Sequence, residues 1–402
     1  MSPKWRTVLT LALAEFLGMA LWFSASAVTP ALRAAWQLND GQTAWLTMSV
    51  QIGFVVGALT SAFLNLADIY PPRYVFAGGA LLGALANGLI PLLADSLGPA
   101  LLLRFITGIA LAAVYPVGMK ILATWMKEDR GLGLGLLIGA LTLGSASPHL
   151  IRALGGISSW HAVLYVASLL SVFSALLGYL SGHLGPFQAQ TPPFNWRYSL
   201  DALRDRGVRL ANFGYLGHMW ELYAVWTWIP LFLLESFQQS GATDFERRAA
   251  IVAFFVIGAG GLGSLLFGRL ADRWGRTRTT ILSMSISGSC ALLVGFFFGA
   301  APWLVTLVAL IWGFTIVADS AQFSTAVSEL SQREYMGTAL TIQTSLGFLL
   351  TMVSIRLIPL LVEWVGWQWA FTALVIGPLF GSFAMWQLQK SPAAAKLAGG
   401  RG

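Results

Sequence analysis

Blocks of about twenty apolar residues alternate along the chain with short polar gaps, and about twenty residues is the length at which a helix crosses the hydrocarbon core of a bilayer. The pattern predicts helical spans over 6–30, 44–64, 74–94, 98–121, 131–153, 159–181, 208–234, 248–268, 279–299, 302–325, 336–360 and 367–387. The alternation over about ten residues that marks membrane barrel strands is missing, so the predicted fold is all-α with twelve transmembrane helices. Lys4, Arg6, the apolar run after them and Ser24-Ala25-Ser26-Ala27 imitate a secretory signal peptide. Glu15 interrupts that run and a later span mirrors it, so it reads as a retained first helix.

The longest polar gap, 182–207, carries Pro186, Pro192, Pro193 and Asn195 and divides the spans six and six. It predicts an N-terminal bundle over 1–181, a linker over 182–207, and a C-terminal bundle with a short tail over 208–402. The halves repeat. Leu17-Gly18 and Pro30 recur as Leu216-Gly217 and Pro230, Leu66-Ala67-Asp68 recurs as Leu270-Ala271-Asp272, and Gly131 recurs as Gly337. Matches in register predict two pseudo-symmetric six-helix bundles.

With 56% hydrophobic and 10% charged residues among 402, the chain falls outside the usage of water-soluble globules, where charged residues make up about a quarter. Lys and Arg are split eighteen to five between the terminal side and the opposite side of the predicted spans, with Arg104 inside one. The positive-inside rule then places both termini and the linker in the cytoplasm, the protein lying in the inner or plasma membrane. The net charge of +7 does not point to nucleic acid, because the basic residues sit at the ends of apolar blocks. Cys290 is the only cysteine, which excludes disulfides and thiolate pairs. No phosphate-binding G-x-x-x-x-G-K-[ST], HExxH or GxSxG occurs, so neither an ATP site nor an intramembrane enzyme is expected, and no cofactor.

Between spans eight and nine lies Gly268-Arg269-Leu270-Ala271-Asp272-Arg273-Trp274-Gly275-Arg276-Thr277-Arg278. A glycine there lets helices approach, an aspartate caps the next helix, and arginines hold a loop cytoplasmic. The segment resembles the G-x-x-x-D-R-x-G-R-x-R signature of the major facilitator superfamily. The first-half copy, Asn65 to Arg73, keeps Asp68 and Arg73 but lacks the leading glycine and the G-R pair. Arg104-Phe105-Ile106-Thr107-Gly108 in span four resembles the R-x-x-x-G pattern of proton-coupled members. The glycines of span five with Ser147-Pro148 loosely resemble the antiporter signature of exporters, although helix packing explains them equally well.

The resemblance implies alternating access of a small solute between two bundles, with Asp68, Arg73, Gly268, Asp272, Arg273, Gly275 and Arg276 as a conformational latch. It also implies that spans one, four, seven and ten line the cavity, and each carries buried ionisable residues: Glu15, Arg104, His218 with Glu221, and Asp319. Charges inside a span are costly and mark ion or substrate pathways. These five are the candidates for proton coupling, and Glu221, farthest from either membrane face, is the acid expected to carry it. The alternatives are a snorkelling Arg104, a structural His218–Glu221 pair three residues apart on one face, and an Asp319 bonded to neighbouring hydroxyls. Trp22, Tyr115, Trp220, Tyr223 and Gln322 are candidates for a substrate wall. His149, Arg152 and Arg356 read as interfacial or gate-forming.

The reading is a secondary active transporter, proton-coupled, export favoured by the span-five pattern, acting as a monomer. Its partners are a small-molecule substrate, protons and the lipid bilayer. The rivals are a divalent-cation carrier using Glu15, His218, Glu221 and Asp319, and a sensor or scaffold that binds solute without turnover.

Overall fold

The structure, a computed structural model, is described over residues 2–126, 130–155, 159–187, 204–332 and 336–402, with only the backbone at 130 and 131. Lys127, Gly156, Arg197, Arg333 and positions 188–203 of the expected linker therefore lie outside the described residues. All regular structure among those described is helical.

Among the described residues three spans are broken within their length. Span 1 runs through Pro3–Met19, Ser24–Ala27 and Thr29–Trp36, span 4 through Leu97–Leu111 and Tyr115–Trp125, and span 10 through Pro302–Ile316 and Ser320–Leu330. Spans 2, 3, 5 and 6 are Asp40–Phe63, Pro72–Leu93, Arg130–Gly155 and Trp160–Ser181. Spans 7 and 8 are Arg206–Gln239 and Phe245–Trp274, and span 9 is Arg276–Leu293 with a 3-10 turn after it. The helix Met336–Ala370 supplies span 11 and, past a reversal at Gly366, leads through Phe371–Val375 into span 12, Ile376–Gln389.

Among the described residues nine stretches are long and apolar enough to cross a membrane, one of them the 54-residue stretch Met336–Gln389. A helix that long reaches about 80 Å at 1.5 Å per residue, more than twice the hydrocarbon thickness. It crosses twice, turning at Gly366, whose φ of 74° and ψ of 169° only glycine adopts readily. The remaining two spans fall short of that measure for visible reasons. Span 1 is divided into pieces of at most 17 residues, and span 7 carries Asn212, His218 and Glu221 within its 34. Twelve spans in two pseudo-symmetric bundles result.

The breaks follow local chemistry. Pro116 enters the second helix of span 4 in its first turn, and lacking an N–H it cannot bond back to residue 112, where the first helix stops. In span 1 the exposed carbonyls are taken by Arg104: its Nη1 donates to Leu21 O at 2.9 Å and its Nη2 to Trp22 O. Irregular backbone at membrane depth persists only where protein groups satisfy it in this way.

The bundles are cemented by matched glycine crossings. A Cβ at Gly53 of span 2 would run into the carbonyl of Phe105, and one at Gly108 of span 4 into the carbonyl of Val50. The second half repeats the device between spans 8 and 10: Gly263 meets the carbonyl of Phe314 and Gly313 that of Val256. The glycine of the R-x-x-x-G pattern is thus a packing residue, as small residues at lipid-embedded crossings are. Span 5 lies along span 8 and span 2 along span 11, joining the halves. At the second of these seams Thr351 Oγ1 donates to Gln51 Oε1 at 2.7 Å.

Candidate functional site

Glu15 lies on span 1, fully buried, and neither carboxylate oxygen has a hydrogen-bond partner among the described residues. It faces span 4, where a Cβ at Gly118 would stand 2.7 Å from Glu15 Oε2. Tyr115 begins that same helix one turn earlier. The break in span 4 therefore brings a glycine to the carboxylate, and an alanine at 118 would press on it.

Arg104, also fully buried, does not face Glu15. Besides Leu21 O and Trp22 O it donates to Leu46 O at 3.3 Å, Ser24 Oγ at 3.2 Å and Asn87 Oδ1 at 3.3 Å. Asn87 in turn donates to Leu164 O and Ser168 Oγ, both at 3.0 Å. The guanidinium is locked into a network across spans 1, 2, 3 and 6, in which each of its three nitrogens has an acceptor.

In the C-terminal bundle the acids separate. Glu221 Oε1 accepts from Trp312 Nε1 at 2.7 Å and Oε2 from Ser287 Oγ at 2.9 Å, tying span 7 to spans 10 and 9. His218 points elsewhere: its Nδ1 lies 2.9 Å from Asp319 Oδ1, in the break of span 10, and both side chains are only 2% exposed. The reach expected between His218 and Glu221 is taken by Asp319. The imidazole packs against Phe323 and Tyr215, and its Nε2 has no partner among the described residues. A buried imidazole–carboxylate pair with one free ring nitrogen can pass or hold a proton.

Between the bundles stands an aromatic cluster. Trp22, Phe23 and Phe54 of the N-terminal half meet Tyr223, Trp226 and Phe348 of the C-terminal half at ring-centroid distances from 4.8 to 6.2 Å. The indole nitrogens of Trp22 and Trp226 are buried without a partner among the described residues. Of the expected wall, Trp22 and Tyr223 join this cluster, while Tyr115 lies at the start of the second helix of span 4. Trp220 is directed to span 12, donating to Ala373 O at 3.3 Å, and Gln322 accepts from Arg276 Nη1 at 2.8 Å, nearer the latch.

The residues expected to form a latch divide by half. Gly275 takes φ 97° between spans 8 and 9, while Asp272 and Arg273 are exposed. Arg276 makes a fork to Glu329, with bonds of 2.8 and 2.6 Å, and lies 3.5 Å from Asp272. A Cβ at Gly268 would touch nothing. In the first half Lys120 of span 4 pairs with Asp68 at 2.6 Å and donates to Ala67 O. Arg73 reaches His183 at 3.4 Å and lies over the rings of Tyr74 and Tyr179. Lys120 and Glu329 sit on the inner helices of spans 4 and 10, so each half ties its loop to the corresponding broken helix.

Sequence reasoning does not find Trp312, Ser287, Lys120 and Glu329 as partners. Lys120 and Glu329 leave a readable signal, since each is a lone charge in an apolar helix whose opposite number lies in the paired loop.

A match to the Major Facilitator Superfamily covers residues 11–241 and again 211–402. The chain is 26% identical over 373 residues to a 4-hydroxybenzoate transporter of Pseudomonas putida, covering 83% of this chain and 79% of that one. It is 23% identical over 382 residues to a probable sulfoacetate transporter of Cupriavidus necator, covering 85% of each. The crystal structure of a mutant of the nucleoside transporter NupG superposes with a TM-score of 0.74 at 18% identity, covering 96% of this chain and all of that one. With twelve spans in two halves, paired loops after spans 2 and 8 and broken helices 1, 4 and 10, the chain belongs to the Major Facilitator Superfamily and is a multi-pass membrane transporter of small molecules.

Proposed function

We propose that the protein is a proton-coupled carrier of a small organic anion, working by alternating access between the two bundles. The observation that carries this is a pair of buried carboxyl groups, Glu15 and Asp319, on the broken spans 1 and 10. Among the described residues Glu15 has no hydrogen-bond partner, Asp319 has only an imidazole that can itself give up its proton, and both stand at helices that line the divide between bundles. Carboxyl groups so placed exchange protons as the surrounding helices rearrange, linking proton to solute occupancy by reciprocal coupling. Glu221, held by Trp312 and Ser287, is assigned to the structure of the C-terminal bundle, and the coupling role to Asp319 with His218, with Glu15 as the second site.

Two relatives that match over most of their length are named for 4-hydroxybenzoate and sulfoacetate, both organic anions. Flat rings among Trp22, Phe23, Tyr223, Trp226 and Phe348 suit an aromatic carboxylate. The divalent-cation alternative needs Glu15, His218, Glu221 and Asp319 to converge. Among the described residues no three metal-ligating side chains do. The bundles are assigned to 1–181 and 208–402, the linker to 182–207, and the termini to the cytoplasmic face of the inner membrane by the eighteen-to-five distribution of basic residues.

Proteoliposomes holding the purified protein, loaded at one pH and diluted into another, test the reading with labelled 4-hydroxybenzoate. A pH gradient should drive its movement against a concentration gradient, and the sign gives the direction. Asp319→Asn should abolish gradient-driven movement while leaving counterflow of label. Accumulation by the Asn variant with an undiminished response to the gradient would remove Asp319 from the mechanism.

A further inference from the structure

We propose that Arg152, with the hydroxyls of Thr29, Thr43, Thr47 and Thr227, anchors the anionic group of the transported solute. The inference rests on the organic-anion reading above and adds the residue that meets the charge.

Arg152 is 6% exposed, and its one hydrogen bond among the described residues runs from Nη1 to Ala27 O at 3.2 Å. Its Nε is buried without a partner, and no described carboxylate forms an ion pair with it. This contrasts with Arg104, every nitrogen of which is engaged. A guanidinium keeps its charge in a protein, and a buried charge without a counter-ion is costly in a membrane unless a function retains it.

Around it lies a narrow cleft of about 10 Å³, closed to a solute in this conformation, formed by spans from both bundles: Ser26 and Thr29 of span 1, Thr43 and Thr47 of span 2, and Thr227 of span 7. A forked guanidinium fits a carboxylate or sulfonate, and the hydroxyls of Thr43 and Thr227, which here donate to Asn39 O at 3.0 Å and Tyr223 O at 2.6 Å, join it by turning from those carbonyls to the anion. Ser26 and Thr47 already bond each other at 2.7 Å, which orients one wall.

The position is right for a ligand that also uses the aromatic cluster. Ala27, which Arg152 holds, is one turn beyond Phe23, and Thr227 follows Trp226 directly, both rings of the cluster. The local helix is also built to hold Arg152 in place. Pro148 deletes a backbone hydrogen bond to Gly144 O, and Ser147 Oγ takes that carbonyl at 2.7 Å. The motif that resembled an exporter signature thereby shapes the segment leading to Arg152. His149, one turn before it, is fully buried with both ring nitrogens unpartnered among the described residues.

The test is calorimetric titration of purified full-length protein with 4-hydroxybenzoate and with its neutral isostere, 4-hydroxybenzamide. The native protein should prefer the carboxylate by about 10- to 100-fold, the range of charge-assisted recognition. Arg152→Gln should reduce that preference to within about 3-fold while binding the amide as the native protein does, which also reports that it is folded. Should Arg152→Gln not yield folded protein, the paired substitution Thr43→Val with Thr227→Val takes its place, with an expected loss of preference of about 3- to 10-fold. Full preference retained in the variant measured overturns the assignment to Arg152. If the native protein binds neither 4-hydroxybenzoate nor sulfoacetate more tightly than the amide, the organic-anion reading fails, and that failure is seen before any variant is made.

Discussion

Replacing Arg104 separates two roles that a buried arginine can have in a transporter, a mobile counter-charge or a fixed structural clamp. The guanidinium donates to three backbone carbonyls and two side chains. These acceptors are not equally dependent on it. Leu21 O is also bonded by Ser24, whose hydroxyl reaches it at 3.0 Å, and Leu46 lies within a continuous helix. Trp22 O, in the break of span 1, has no other donor among the described residues, and Asn87 Oδ1 keeps only Ser24 Oγ at 2.7 Å. A buried acceptor stripped of a charged donor costs about 1.5–3 kcal/mol, and two acceptors, Trp22 O and Asn87 Oδ1, depend chiefly on Arg104. Arg104→Gln should therefore destabilise the protein by about 3–5 kcal/mol, measured by unfolding in mixed detergent micelles. Arg104→Lys, whose ammonium reaches part of the acceptor set, should lose about half of that. At a temperature where the variant remains folded, the response of transport to a pH gradient should be that of the native protein. An Arg104→Gln variant within about 1 kcal/mol of native stability but deaf to the gradient would refute the clamp and restore the counter-charge role.

Other expectations follow from packing and pairing. Gly313→Ala sets a methyl against the Val256 carbonyl and should cost about 1–3 kcal/mol, whereas Gly98→Ala, where nothing lies within 4 Å, should be nearly neutral in the same unfolding titration. A double-mutant cycle on Arg276→Gln and Glu329→Gln should give a coupling energy of about 1–3 kcal/mol, well above an ordinary surface pair, because the fork is bidentate and Arg276 is buried. Additive losses would show the fork to be incidental. Glu221→Gln keeps one acceptor and turns an amide toward the other donor, so it should lower stability by about 1.5–3 kcal/mol while leaving proton-driven transport intact. Loss of drive with unchanged stability would return the coupling role to Glu221.

The spans and their duplication were legible in the sequence because a bilayer imposes a length on every apolar block, and two halves built alike repeat their punctuation. The breaks were less visible. Pro116 signals one, but the interruption of span 1 depends on Arg104 arriving from a helix about eighty residues later to take up Leu21 O and Trp22 O, and nothing local announces it. The same holds for function. Burial depth along a span singled out Glu221 as the costliest carboxylate, but cost depends on partners as well as depth, and Trp312 and Ser287 come from two other spans. Asp319 looked better solvated from its place nearer the membrane face, yet the break in span 10 turns it inward onto His218. Spacing of three residues put His218 and Glu221 on one face of span 7, but a helix buried on nearly all sides has neighbours around its whole circumference, so two adjacent side chains meet different spans. In such a helix the partner, and with it the chemistry, is decided by the packing angle of the surrounding helices, which single-sequence periodicity does not encode.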